Sequence, residues 1–466
     1  MAKESSVRPF GLRDKLGYLF GDFGNDFTFI LSSSFLMKFY TDVMGVSAAI
    51  VGVIIMIARF VDGFTDVTMG RIADRSRITQ NGKFKPWILR MAIPVALSSF
   101  LIYQSALRNT PMAFKVVYLA LTYILWGSIF YTAINIPYGS MASLISPEPS
   151  DRQSLSTYRS MGAVFAGAVI GALVPLVAYD NIEGIGAVMN GNRFTFIALI
   201  CSILAVVCYM LCYYLVRERV RPEDSARDIK GDNVLKMLKR AVGNRALISI
   251  IAASVVMLLS QLTMQAMANY IFPNYYKNIG AQTVATLLMV AAMLSAGLFA
   301  KPLANKFGKA EIASVSSFLA GIICLILFVL RPANVWLYVA LQTVEWIGLG
   351  MFSMVSWALI TDVIDDSEVK HGIREDGSVY ALYSFARKLG QAGAAGSTGL
   401  LLSMIGYSAS TAFQPNVLEG IYNISTLVPA LGFILLAAIL LFWYPLRKKR
   451  VEYNIAVLKK RKDNDS

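Results

Sequence analysis

Arg59, Asp62 and Asp66 stand in the stretch ARFVDGFTD, near the end of the apolar run AAIVGVIIMIARFVDGFTDVTMG. That run is long enough to cross a bilayer as a helix. Spaced by three and seven residues, the three charges fall within about 60° of one helix face. A charge at the bilayer centre costs at least ~2.5–3.5 kcal/mol, so such groups turn toward a partner or a cavity. One reading is structural: Arg59 neutralises an aspartate and pins helices together. The other is chemical: two carboxylates and one cation leave excess negative charge, a site for a proton or a small cation such as sodium.

The first apolar run repeats the theme in GDFGNDF, where Asp22 and Asp26 are four residues apart and Tyr18 continues their face. A carboxylate accepts hydrogen bonds from sugar hydroxyls, which makes Asp26 a substrate-contact candidate. Asp22 is open between a structural role and the same one, and Gly21 and Gly24 read as helix-packing residues. In the fourth run Tyr131, Thr132 and Asn135 share a face ahead of Pro137, which is expected to break the helix and free backbone groups at a cavity. Arg159 and Lys388 supply cations from two further runs, to balance the aspartates or hold a substrate hydroxyl or carboxylate. Arg387 is expected to be a surface charge. His371, the only histidine, lies in DDSEVKHGIREDGSVY, read as a polar cytoplasmic loop. No nucleophile–base set, nucleotide loop or metal-ligand cluster is visible. The chain therefore reads as no enzyme and as needing no cofactor.

The elements that must position these residues are helices. Of 466 residues, 56% are hydrophobic and 15% charged, too few charges to cover a soluble protein of this length. Twelve apolar spans can be marked: 16–40, 46–70, 86–107, 115–136, 157–179, 194–216, 246–270, 281–300, 309–330, 335–361, 378–405 and 425–446. The net charge of +14 arises from Lys and Arg between spans, which fits membrane topology rather than a nucleic-acid partner. Nine fall in 217–245 and eight in the tail LRKKR…LKKRKDNDS, placing both termini in the cytoplasm. The expected fold is an all-α integral membrane protein of twelve transmembrane helices in two six-helix bundles. It divides into 1–216, a cytoplasmic linker 217–245, a second bundle 246–446 and a basic tail 447–466. The cysteines 201, 208, 212 and 324 all sit in apolar runs, and no disulfide or zinc site is expected. GRIADRSR after the second span and KPLANKFGK after the eighth point to a parallel internal repeat. At that offset Met293 and Gly297 replace the aspartate pair, so the pair is no demand of the fold. Asp74 and Arg75, with Asn305 and Lys306, are expected to form gate contacts.

The pieces GYLFGDFGNDF, FYTDVMG, ARFVDGFTDVTMGRIADRSR, GKFKPWIL, NIPYGS and DVIDDSEVKHGIREDG…SFARKLG together resemble the glycoside–pentoside–hexuronide:cation symporters of the major facilitator superfamily. The resemblance runs from about Gly17 to Tyr407. It implies the major facilitator fold, sugar transport and cation coupling in the cell membrane of a bacterium. Residue by residue, it implies a cation site at Asp62 and Asp66 lined by Thr132, sugar contacts at Asp26 and Arg159, and Lys388 as the charge on the eleventh helix. Melibiose-type members place an aspartate at Asn135, a tryptophan at Gly139 and a lysine at Asn25. Those departures favour proton over sodium coupling and a pentoside, glucuronide or other glycoside. The alternatives are a sodium-coupled galactoside symporter or a carrier of a non-sugar substrate. The partners expected are the substrate and the bilayer, with no obligate protein partner.

Overall fold

The computed structural model describes residues 8–183, 186–220, 243–371 and 376–465. Most of the expected linker 217–245 lies outside the described residues. The chain divides into two compact units, Met1–Glu183 with Ala187–Asp228, and Gly184–Gly186 with Ile229–Ser466.

The first unit holds α1 (Leu12–Asp42), α2 (Ala48–Asp74), α3 (Lys85–Ile102), α4 (Met112–Ile145), α5 (Pro149–Ala178) and α6 (Gly191–Leu215). A short hairpin, β1 (Tyr179–Ile182) and β2 (Gly186–Met189), joins α5 to α6. The second unit holds α7 (Arg245–Tyr275), α8 (Ile279–Phe307), α9 (Lys309–Leu330), α10 (Val335–His371), α11 (Asp376–Met404), α12 (Pro415–Trp443) and a C-terminal α13 (Lys448–Asp465). Among the described residues, ten of these helices are long and apolar enough to cross a membrane. Large apolar side chains cover their outer faces, including Phe64, Leu298, Val329 and Phe442 at 74–76% exposed. A soluble surface rarely tolerates such continuous apolar exposure, whereas lipid favours it.

Local sequence sets where helices start. Asn190, Asn244 and Asn278 each accept, through the side-chain oxygen, backbone N–H bonds from the first turn of α6, α7 and α8. The Glu218 carboxylate accepts from the N–H groups of Lys83, Phe84 and Lys85 at 2.6–2.9 Å and so caps α3. At the matching corner of the second unit, Gly308 takes φ +106° between α8 and α9, a conformation only glycine adopts without strain.

Packing repeats with the period of six helices. In the first unit α1 lies along α5 and α6, α3 along α6 and α4, and α2 along α4; in the second, α7 lies along α11 and α12, α9 along α12 and α10, and α8 along α10. Glycines bring α1 close to its neighbours. A Cβ at Gly17 would come 2.8 Å from Leu215, one at Gly24 3.1 Å from the Tyr209 ring, and one at Gly21 into the Tyr138 ring. This is the packing role read from the sequence.

Three features differ from the expectations. Pro137 does not break α4: Thr132–Ile145 is α-helical through it, and the irregularity is a π-helical stretch at Leu125–Tyr131, one turn earlier. A proline lacks the N–H its own turn would use, and here the helix adjusts by widening upstream. The segment Asp365–His371 is the end of α10, not a loop. It is held there by Lys370 on Asp366 at 2.6 Å and by Lys309 on Asp362 at 2.6 Å. The tail is a helix as well. Arg450 and Asn454 of α13 bond Asp366 at 3.2 and 3.0 Å, and Arg461 donates to the carbonyls of Glu368 and Val369 at the end of α10.

Candidate functional site

The first unit gathers most of the sequence-selected residues into two groups. The first lies between α2 and α4. Arg59 Nη1 donates to Asp62 Oδ2 at 3.3 Å and lies 5.0 Å over the Phe29 ring. Ser128 Oγ donates to Asp62 Oδ1 at 2.5 Å, and Thr132 Oγ1 donates to Asp66 Oδ1 at 3.0 Å. Two acids four residues apart on α2 thus face two hydroxyls four residues apart on α4. Ser128 lies within the π-helical stretch and Thr132 follows it. The Thr132 hydroxyl also lies 3.2 Å from the Gly127 carbonyl, a group that such a widened turn leaves available.

The second group lies among α1, α4 and α5. Arg159 Nε donates to Asp22 Oδ1 at 2.9 Å, with the guanidinium 5.4 Å over the Tyr138 ring. Tyr138 stacks on Tyr18 at 4.6 Å, and its hydroxyl donates to the Tyr18 carbonyl at 2.6 Å. Arg159 pairs with Asp22 through Nε, and its side chain is 40% exposed. Asp26 is half-buried one turn further along α1, in the electrostatic field of Asp22 and Arg159. No described residue hydrogen-bonds or ion-pairs with it at contact distance. Tyr131 stacks on Phe29 at 5.7 Å and leans on Trp126 at 5.5 Å.

Asn135 departs from its expected place. It bonds to Asn25 of α1, whose Nδ2 donates to Asn135 Oδ1 at 3.3 Å, and makes no hydrogen bond to Asp62 or Asp66. The face shared by Thr132 and Asn135 in sequence is therefore divided between α2 and α1. Lys388 belongs to the second unit, half-buried on α11. Arg387 is not a bare surface charge: it lies 5.8 Å over both the Trp357 and Tyr383 rings. Asp74 and Arg75 are exposed at the end of α2.

Two members of these groups escaped the sequence reading. Ser128 stands four residues before Thr132, the same spacing as the two acids, and that match was the available signal. Tyr209, which donates to Asn25 Oδ1 at 2.9 Å, lies in an apolar run where nothing separates it from a core tyrosine.

This arrangement can hold a small cation or proton in one group and a hydroxylated molecule in the other, and it offers no nucleophile or acid–base pair for bond cleavage. The family model described as MFS/sugar transport protein matches residues 17–448. The chain is 30% identical over 453 residues to the glucuronide carrier protein homolog of Escherichia coli (strain K12), covering 97% of this chain and 96% of that one. It is 33% identical over 433 residues to the isoprimeverose transporter of Lactiplantibacillus pentosus, covering 92% and 88%. The crystal structure of a D-xylose–proton symporter superposes with a TM-score of 0.62 at 15% identity, over 93% of this chain and 97% of that one, a likeness of fold. The chain belongs to the MFS/sugar transport proteins and, within the major facilitator superfamily, to the glycoside–pentoside–hexuronide:cation symporters, which are membrane transporters and not enzymes.

Proposed function

We propose that the chain is a proton-coupled symporter that imports a glycoside of the pentoside or hexuronide kind by alternating access. The observation that carries this reading is the facing of Asp62 and Asp66 by Ser128 and Thr132. Asp62 is held by Arg59 and Ser128 and Asp66 by Thr132, and we assign the coupling proton to this carboxylate pair. A sodium ion takes several oxygen ligands at once, and Asn135 at this position offers a neutral amide, which already accepts from Asn25, rather than a carboxylate. A proton asks for a single acceptor. The sugar would rest against Asp26, Arg159, Tyr131 and Asn135, with Asp22 holding Arg159 in place. Lys388, on α11 of the second unit, is kept as the substrate-site candidate that the family resemblance implies.

α1 and α11 carry more charge or fewer bulky apolar residues than the other ten helices. We place both across the membrane, because the family match, residues 17–448, runs through both. Twelve crossings with Lys and Arg gathered near the 217–245 segment and the tail then put both termini in the cytoplasm. Names among the relatives, a glucuronide carrier homolog and an isoprimeverose transporter, support a glycosidic substrate.

The test is Asp66→Asn. Cation-driven accumulation should vanish, while exchange of labelled for unlabelled sugar at equal concentration should persist within a few-fold. Unchanged accumulation would remove Asp66 from the coupling role.

A further inference from the structure

A chain of three side chains crosses the first unit from α6 to α4. The Tyr209 hydroxyl donates to Asn25 Oδ1 at 2.9 Å, and Asn25 Nδ2 donates to Asn135 Oδ1 at 3.3 Å. Tyr209 and Asn25 are each 1% exposed, whereas Asn135 is half-buried. The link exists because Gly24 has no side chain: a Cβ there would stand 3.1 Å from the Tyr209 ring.

The direction of the chain follows from its proton inventory. A phenol has one proton, and a buried O–H left without an acceptor loses its hydrogen bond to water with nothing in return. Asn25 Oδ1 is the acceptor that meets it. The Asn25 amide nitrogen is then turned away from Tyr209 and toward Asn135, where it engages the side-chain oxygen. Asn135 keeps both protons of its –NH₂ group for the half-open side.

We infer that Tyr209 is a positioning residue which, through Asn25, fixes the Asn135 amide so that its N–H groups are turned toward the transported sugar. Asp26 only accepts hydrogen bonds when ionised, and Asn135 held in this way presents two N–H donors. Such a pair suits a molecule whose groups do both, a pyranoside ring bearing several hydroxyls, with Asn135 meeting a hydroxyl or ring oxygen. The inference rests on the symport reading for its substrate, and on the hydrogen-bond chain alone for its geometry.

The experiment is a double-mutant cycle on Tyr209→Phe and Asn25→Ala, read in two ways. In uptake of p-nitrophenyl β-D-xyloside and p-nitrophenyl β-D-glucuronide, each single variant should raise KM by about 5- to 10-fold, the worth of one ordinary hydrogen bond. Maximal rate should stay within about twofold, and the external pH giving half-maximal rate should not move. The double variant should be no worse than the poorer single one, since Tyr209 acts only through Asn25. Additive losses, an unchanged KM in both single variants, or an equal shift in pH dependence would overturn the inference. The same non-additivity is expected in the melting temperature of the purified, sugar-free protein. Failure of the unmodified chain to take up either probe would thus count against the transport reading, while the relay is still judged by its own cycle.

Discussion

Each acid in the first unit meets its own kind of partner. Asp62 receives a guanidinium and a hydroxyl, Asp66 a hydroxyl, Asp22 a guanidinium, and Asp26 no hydrogen-bonding partner among the described residues. This grading is what separates a structural pair from a binding group. Ser128→Ala would remove a charge-assisted hydrogen bond from Asp62, commonly worth about 1.5–3 kcal/mol. Half-maximal transport should then require about tenfold or more cation, with sugar affinity at saturating cation nearly unchanged; a change confined to sugar KM would contradict the division into two groups. Asp26→Asn keeps the size but adds donors, and should raise sugar KM by about tenfold or more while cation-dependent stability persists. Asp62, Asp66, Asp26 and Arg159 were legible in the sequence because charge inside an apolar run is conspicuous. Ser128 and Tyr209 were not, because a hydroxyl in a helix announces a function only when its partner on another helix is known.

The helices themselves were legible as apolar runs, and their limits less so. α4 keeps its course through Pro137 and widens instead at Leu125–Tyr131, where it packs on α2 and α3. The end of α10 looked like a loop because it is polar, yet Asp362 has a partner on α9, and Asp366 and the carbonyls of Glu368 and Val369 have partners on α13. Asp366 illustrates this: it is 1% exposed and joins Lys370, Arg450 and Asn454. Asp366→Ala leaves those donors unpaired and should destabilise the second unit by about 1–3 kcal/mol. A melting temperature lowered by several degrees, with uptake kinetics retained at low temperature, is the expected result. An unchanged melting temperature would mean that α13 does not brace α10. On α1, Gly24→Ala should displace the Tyr209 ring and reproduce the raised sugar KM of Tyr209→Phe, which a generic packing glycine would not do.

The repeat of helix partners, α1 with α5 and α6 as α7 with α11 and α12, exceeds what the short echo between GRIADRSR and KPLANKFGK could establish. Function is distributed unevenly over that repeat. The first unit carries the aspartates, whereas the second has Met293 and Gly297 at the place of Asp62 and Asp66. Coupling is therefore proposed to lie in the first unit, with proton movement linked to sugar passage. The most direct test uses lightly buffered, de-energised cells expressing the chain. External pH is recorded after pulses of a β-glucuronide, a xyloside and an α-galactoside, each with and without sodium, and repeated with Asp66→Asn. The account predicts alkalinisation with the glucuronide or the xyloside, independent of sodium and absent in Asp66→Asn. Sodium-stimulated uptake without any pH change would contradict it, and would make Asp62 and Asp66 a sodium site.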